Sequence, residues 1–294
     1  MNRALRLSAW AGWIAATLLS AGPAVCVAGD LPMRNDFDLQ SALEETVGEL
    51  GLAGDAAAGH LAVALVDVTE PERPRVAMIN GHEMFYAASL PKIAILLGAA
   101  VQLDAGQLVM DPSLEHDLHD MIRVSCNACA TRVLDRVGRE DLLAILQSPE
   151  YGFYDRQAGG GLWVGKPYGP ESAYRRDPVD NQSHGATVYQ AARFYYHLYL
   201  GDLVSPEQSA MMLDTLARPG LEHKFVRGLS EFDDLEIYRK SGSWQHYHAD
   251  SALVVAPHHA YIMVALTESG DGAEWLEDMA PRLHRLVVRP ADAH

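Results

Sequence analysis

Cysteine is scarce: the 294 residues hold three, and one of them, Cys26, lies in the N-terminal apolar stretch. So few thiols exclude a small scaffold framed by disulfides. Long apolar runs are lacking as well. The stretch from Leu7 to Leu19 comes nearest to a membrane span, but it is short, and Gly22 and Pro23 interrupt the chain just after it. Positive charge is in deficit, with 23 Lys and Arg against 39 Asp and Glu, a net charge of −16. That balance argues against nucleic acid and anionic membrane as partners. No low-complexity linker divides the chain, so one compact unit is expected.

The residues that are present begin with an export signal over residues 1–28. Arg3 and Arg6 precede the apolar run, and the small residues Cys26 and Ala28 suit cleavage near Ala28. Pro23, Ala24 and Val25 match a lipid-attachment box at Cys26 poorly. A periplasmic or secreted protein without a lasting membrane anchor is therefore expected, and a monomer. Removing Arg3 and Arg6 leaves 21 cations against 39 anions, a net charge of −18. The remaining thiols, Cys126 and Cys129, stand three apart. In an oxidising compartment they could close a strained, labile disulfide or stay as two buried thiols, and the thiols are the favoured expectation.

Leu39, Leu43, Val47 and Leu50 predict an amphipathic helix over 38–50, stopped by Gly51. A hairpin comes next, with strands over 61–68 and 75–80 turning at the Pro-containing segment between them. From Ser89 the pattern is helical: a buried helix through Val101, then helices over 114–124, 128–137 and 139–147. Residues 148–185 carry seven glycines and four prolines, so a long irregular loop is expected there. Helices return over 186–200 and after Ser205, where Pro206 and Gln208 complete a start signal. Three strands, over 235–241, 249–255 and 261–267, precede a last helix holding Pro281. Strands at both ends with helices between them predict an α+β fold, an α/β sandwich. Its antiparallel sheet is built from both chain ends with flanking helices (31–88 and 220–294), plus an inserted all-helical lobe (89–219). A cleft should lie between the two.

Chemistry enters with Ser89 and Lys92, three apart at the start of a buried helix. Both side chains share one face, and the serine sits where backbone N–H groups converge. A lysine among apolar residues has its charged form disfavoured, so a neutral amine can accept the serine proton. Two further elements accompany the pair: Ser125-Cys126-Asn127 after the next helix, and Lys240-Ser241-Gly242 at the end of a predicted strand. Ser-x-x-Lys, Ser-x-Asn and Lys-Ser-Gly in this order resemble the penicillin-binding and β-lactamase serine hydrolases, class A β-lactamases included. The resemblance covers nearly the whole chain after residue 28.

That resemblance implies an acyl-serine mechanism on a β-lactam or related peptide-like amide, with no cofactor and no metal. Ser89 would be the nucleophile, Lys92 its proton acceptor, directly or through water, and Ser125 the relay to the leaving nitrogen. Asn127 would donate to the substrate amide oxygen. Lys240 would place positive charge beside Ser125, and Ser241 would bind a substrate carboxylate. The N–H groups of Ser89 and Ser243 would form the oxyanion hole, with Gly242 needed for close approach. Glu171 is the best-placed loop acid to activate the hydrolytic water, with Asp177 and Asp180 weaker candidates. The run Glu171-Ser172-Ala173-Tyr174 departs from the family pattern, which lowers the case for Glu171. The segment between Lys92 and Ser125 is short, and no arginine stands near Ala249, so substrate range is open. A D-alanyl peptidase or other amidase of the same fold, or a non-catalytic penicillin-binding protein, is the alternative.

Two rival sites compete. His246, His248 and Asp250 alternate along a predicted strand edge as metal ligands would, although cleft-lining or structural histidines are the favoured reading. Gly160 to Lys166 has the spacing of a phosphate loop, but Pro167 replaces the Ser or Thr that such a loop requires, and no strand precedes it.

Overall fold

The computed structural model describes residues 29–31 and 36–288. The export signal expected in residues 1–28 lies outside them. Helix α1 (Phe37–Glu49) starts at Asp36, whose carboxylate accepts from the Leu39 N–H at 2.9 Å. A short α2 (Ala53–Ala57) leads into the hairpin of β1 (Leu61–Asp67) and β2 (Arg75–Ile79), and β3 (Phe85–Tyr86) brings the chain to Ser89. The helical middle continues as α3 (Lys92–Asp104), α4 (Pro112–Arg123), α5 (Asn127–Val137) and α6 (Arg139–Gln147). Four short strands come next: β4 (Tyr154–Asp155), β5 (Gly160–Gly161), β6 (Trp163–Val164) and β7 (His184–Ala186). Then come α7 (Val188–Leu200), α8 (Pro206–Leu216) and α9 (Phe225–Gly228). Strands β8 (Glu236–Trp244), β9 (Tyr247–Ala256) and β10 (His259–Glu268) and helix α10 (Gly272–Val287) close the chain.

The main sheet has the order β2-β1-β10-β9-β8, all antiparallel, so both ends of the chain meet in one sheet as predicted. Strand β1 is buried on both faces, and its alternation divides the core. Leu61, Val63 and Leu65 pack with α1 and α10, whereas Ala62, Ala64 and Val66 face the larger core shared with α3 and α7. Strand β8 ends the sheet, and apart from one bridge between Tyr238 and Ala217 its outer edge faces the helices. It is anchored from within by Arg239, whose guanidinium forks onto Asp250 of β9 with both N–O distances at 2.7 Å. Arg239 also donates to the carbonyls of Leu221 (3.1 Å) and His223 (3.2 Å).

Two expectations need correction. Residues 148–185 are not wholly irregular: β6, β7 and β3 form a small sheet, and β4 pairs with β5. The glycines that suggested disorder permit close backbone packing instead. A Cβ at Gly165 would overlap the Arg175 carbonyl oxygen, for example. The second correction concerns the thiols, since Cys126 and Cys129 form a disulfide with their Cα atoms 5.3 Å apart. Cys126 is the N-cap of α5, and a cap and the residue three further on share one side of the first turn, so the two sulfurs meet.

Helix α10 carries Pro281, which offers no N–H to the Glu277 carbonyl one turn earlier. Gly228 of α9 lies against that carbonyl so closely that a Cβ there would overlap it.

Arg239 and Asp250 are both almost fully buried, with side-chain exposures of 2% and 0%. Asp250→Ala should lower stability by about 3–5 kcal/mol because it strands a buried guanidinium. Arg239→Met/Asp250→Ala should recover part of that loss. Urea unfolding of the three proteins measures both effects.

Candidate active site

Ser89 occupies the turn between β3 and α3. The residue before it, Ala88, has φ +51°, a left-handed conformation that costs a non-glycine residue energy. The turn is held by the Leu90 N–H donating to the Ala87 carbonyl at 3.0 Å and by the buried Tyr168 hydroxyl donating to the Ala88 carbonyl at 3.3 Å. Pro91 then sets the entry into α3, whose apolar run buries the helix almost all round.

That burial carries Lys92 with it, at 0% exposure. Its Nζ donates to the Ser125 carbonyl at 2.7 Å, to Ser125 Oγ at 3.2 Å and to Asn127 Oδ1 at 2.8 Å. It also lies over the Tyr168 ring, 4.6 Å from the centroid. Three acceptors favour the ammonium form, yet loss of hydration prevails and burial pulls the amine down to about 7. Ser89 Oγ is not among the Lys92 partners, although Ser89 and Asn127 line the same cleft.

Ser125 is a second strained position, with φ +59°, just ahead of α5. The disulfide spans the turn between Ser125 and the body of that helix, flanking Asn127 on both sides. From β8, Lys240 reaches the same hydroxyl. Its Nζ donates to Ser125 Oγ at 3.0 Å and to the Ser241 carbonyl at 2.6 Å. Burial, and then the charge of Lys92, hold Lys240 well below the usual lysine range. Two amines thus converge on one oxygen.

The free edge of β8 runs against the Ser89 turn. A Cβ on Gly242 would lie 2.8 Å from the Ser89 nitrogen and 2.9 Å from that of Leu90, and would overlap the Ala87 carbonyl oxygen. Ser243 comes next, at the cleft surface, while Ser241 is buried opposite Asp250 and is absent from the cleft lining. Beneath them the buried Lys224 donates to the Gly242 carbonyl (2.5 Å), Ser243 Oγ (2.8 Å) and the Ala249 carbonyl (3.0 Å). Burial lowers its pKa to about 8. Sequence reading missed Lys224, because it stands alone after the Pro219-Gly220 break and no spacing ties it to the strand. Tyr168 was missed as well, its one signal being an aromatic residue in a Pro- and Gly-rich stretch.

The cleft has a volume of about 600 Å³. Besides the residues above, it is lined by Lys166 to Pro170, Arg176, Gln182 to His184, Tyr86, Trp244 and Tyr247. Its lining contains no aspartate or glutamate. Glu171 is not brought in. Its carboxylate pairs with Arg139 at 3.3 Å and is 53% exposed, and the cleft wall ends one residue earlier, at Pro170. Asp177 is buried but fully engaged, accepting from the Tyr154 hydroxyl at 3.1 Å and from the N–H groups of Val179 (3.0 Å), Asp180 (3.0 Å) and Gln182 (2.5 Å). Asp180 is exposed and accepts from Gln182 Nε2 at 2.9 Å. His184 stacks on Tyr168 at 4.3 Å, and burial pushes its imidazole down to about 4, so it is neutral at pH 7.

The rival metal reading separates into its parts. Asp250 is committed to Arg239, His248 Nδ1 meets Ser243 Oγ at 3.2 Å, and His246 lies 3.6 Å from Glu268. Among the described residues no group of three potential ligands could hold a metal. Of the supposed phosphate loop, Gly160 and Gly161 form β5, and Gly165 packs against the Arg175 carbonyl and donates its N–H to the Ser183 carbonyl at 2.8 Å.

No curated protein is significantly similar in sequence. Solved structures with the same fold include a β-lactamase from Sphaerobacter thermophilus, at 18% identity and a TM-score of 0.63, covering 85% of this chain and 96% of that one. PBP-A is similar at 18% identity and 0.64, covering 87% and 98%. The class A β-lactamase of the last common ancestor of Gram-negative bacteria is similar at 20% and 0.64, covering 82% and 98%. A sequence profile of the β-lactamase enzyme family matches residues 109–287, more than half the chain, and the protein belongs to that family.

Proposed function

We propose that the protein is a serine hydrolase that opens β-lactam or closely related amides through an ester on Ser89. One observation carries this reading: the Lys92 and Lys240 amines lie 3.2 and 3.0 Å from Ser125 Oγ, and Lys92 also holds Asn127, which lines the cleft together with Ser89. Lys92 is poised near neutrality and accepts the Ser89 proton, through a bridging water or on closer approach in the substrate complex. Ser89 Oγ then bonds to the amide carbon. The Ser89 and Ser243 N–H groups receive the oxyanion, and the tight fit of Gly242 against the Ser89 turn supports that pairing. The proton passes from Lys92 through Ser125 to the leaving nitrogen, and the C–N bond breaks. Asn127 orients Lys92 and can contact the substrate amide. Lys224 holds Ser243 in place. Export through residues 1–28 belongs to the same proposal.

Hydrolysis of the ester needs a base for water, and no carboxylate lines the cleft. The free amine of Lys92 remains for that role, so the ester should be long-lived. This favours a second reading, a penicillin-binding amidase with poor β-lactam turnover. A point mutant of PBP-A, a protein of the same fold, has been captured as an acyl-enzyme with penicillin G.

Intact mass and colour on mixing with a chromogenic cephalosporin separate the two readings. Turnover with a transient adduct means a lactamase, and a persistent adduct means the amidase. Ser89→Ala should abolish both, and an adduct on that variant refutes the assignment. Acylation should fall about tenfold per pH unit below about pH 7 and level off above, because the Lys92 amine accepts a proton only after losing its own. Stopped-flow rates across the neutral range test the sign. Glu171→Gln should leave the rate of ester release unchanged within about twofold, given its exposed pairing with Arg139. Accumulation of adduct in that variant would restore Glu171 as the base.

A further inference from the structure

The residues lining the cleft carry positive formal charge only, on a protein of the opposite sign. The chain carries a net charge of −16, yet the cleft lining holds Lys166 and Arg176 and no acid. Most nearby arginines are neutralised: Arg139 pairs with Asp135 at 2.8 Å, and Arg175 pairs with Glu140 at 3.1 Å. Arg176 instead donates to the Asn181 carbonyl at 3.1 Å, and among the described residues neither it nor Lys166 has a carboxylate within 4.0 Å. The acid next to Arg176 in sequence, Asp177, is occupied by Tyr154 and three backbone N–H groups, and Asp180 accepts from Gln182. Both charges bear on the cleft wall. That of Lys166 opposes protonation of His184, and that of Arg176 eases ionisation of Tyr86.

Strand direction says which part of a substrate these cations meet. Along β8, Lys240 stands at the Ser125 relay, where the leaving nitrogen is protonated. Ser243 stands at the proposed oxyanion position, and Trp244 lies beyond it with Tyr247 across the hairpin. Lys166 and Arg176 line the cleft together with Trp244 and Tyr247, and Lys240 is absent from that lining. They therefore flank the acyl portion, at the opposite end from the leaving group. The same cleft holds an aromatic group, formed by Trp244 at 58% exposure and by Tyr247 set edge-on to Tyr86 at 5.1 Å. Two cations and exposed aromatic faces in one cleft suit a planar side chain ending in an anion.

We propose that Lys166 and Arg176 select amide substrates whose acyl portion carries a carboxylate, so that the protein prefers β-lactams or peptides with an acidic acyl side chain. The inference rests on acylation of Ser89, and the test keeps the two apart. The full protein is mixed with benzylpenicillin and with its α-carboxy derivative, which differ in one carboxylate, and acylation rates are read from intact mass. The carboxylated compound should react about tenfold faster at low salt. That advantage should shrink towards parity at about 1 M salt, where screening acts within a few ångströms. Lys166→Gln/Arg176→Gln should bring the ratio of rates close to one, and Arg176→Glu should invert it. A ratio of rates is insensitive to a general loss of folded protein, so a structural effect does not imitate this result. A wild-type ratio at or below one, or a ratio that survives the double substitution, overturns the selectivity. Failure of both penicillins to label wild-type protein at Ser89 overturns the acyl-serine reading and the selectivity with it.

Discussion

The site is organised by a conflict between two buried amines and one hydroxyl. Lys92 and Lys240 approach Ser125 Oγ from opposite lobes, and neither has a carboxylate partner in the cleft lining. Hydration is lost by both, and each charge raises the energy of the other. The pair therefore holds one proton more readily than two. A proton that is weakly held between two sites is what a relay needs. The same arrangement explains why α3 must be apolar on almost every face: a more solvated helix would return Lys92 to the ordinary lysine range.

Everything else in the fold brings three chain segments to that point. The sheet presents β8 as an edge strand, whose backbone can pass the Ser89 turn only because Gly242 has no side chain. Strain at Ala88 and Ser125 is the counterpart on the helical side, where two left-handed residues aim the hydroxyls that the helices alone would point elsewhere. Arg239 and Asp250 lock β8 to β9 next to Lys240, so the strand that carries one amine is itself fixed by a buried ion pair. The disulfide of Cys126 and Cys129 braces the turn that carries the other partners.

Much of this was legible in the residues. The order of Ser89-Lys92, Ser125-Asn127 and Lys240-Gly242, with helix or strand periodicity around each, was enough to predict one pocket, and the structure brings Lys92, Ser125, Asn127 and Lys240 into mutual hydrogen-bonding reach. The antiparallel sheet from both chain ends was legible because its strands are rich in Val, Leu and Ala and set off by turns. The reading failed where contacts are long-range or where composition points two ways. Glycines in residues 148–185 suggested irregularity but permit close-packed short strands. The choice between thiols and disulfide depended on where α5 begins, a boundary that patterning fixes only to within a few residues. Glu171 was placed by analogy of loop position, and the positive charge of Arg139 on α6 holds it outward. Lys224 joins residues 18 to 25 positions away through backbone carbonyls, which leave no mark in a sequence.

Gly228 and Pro281 are each defined by something missing, a side chain in one and an amide hydrogen in the other, and the fold sets the two deficits face to face. The carbonyl that proline leaves unclaimed is shielded by the one residue slim enough to cover it. Because α9 begins directly after Lys224, this contact moors the C-terminal helix to the lysine beneath Ser243. Drift at either position is thereby restrained by the other, and helix α10 becomes part of the frame that steadies Ser243.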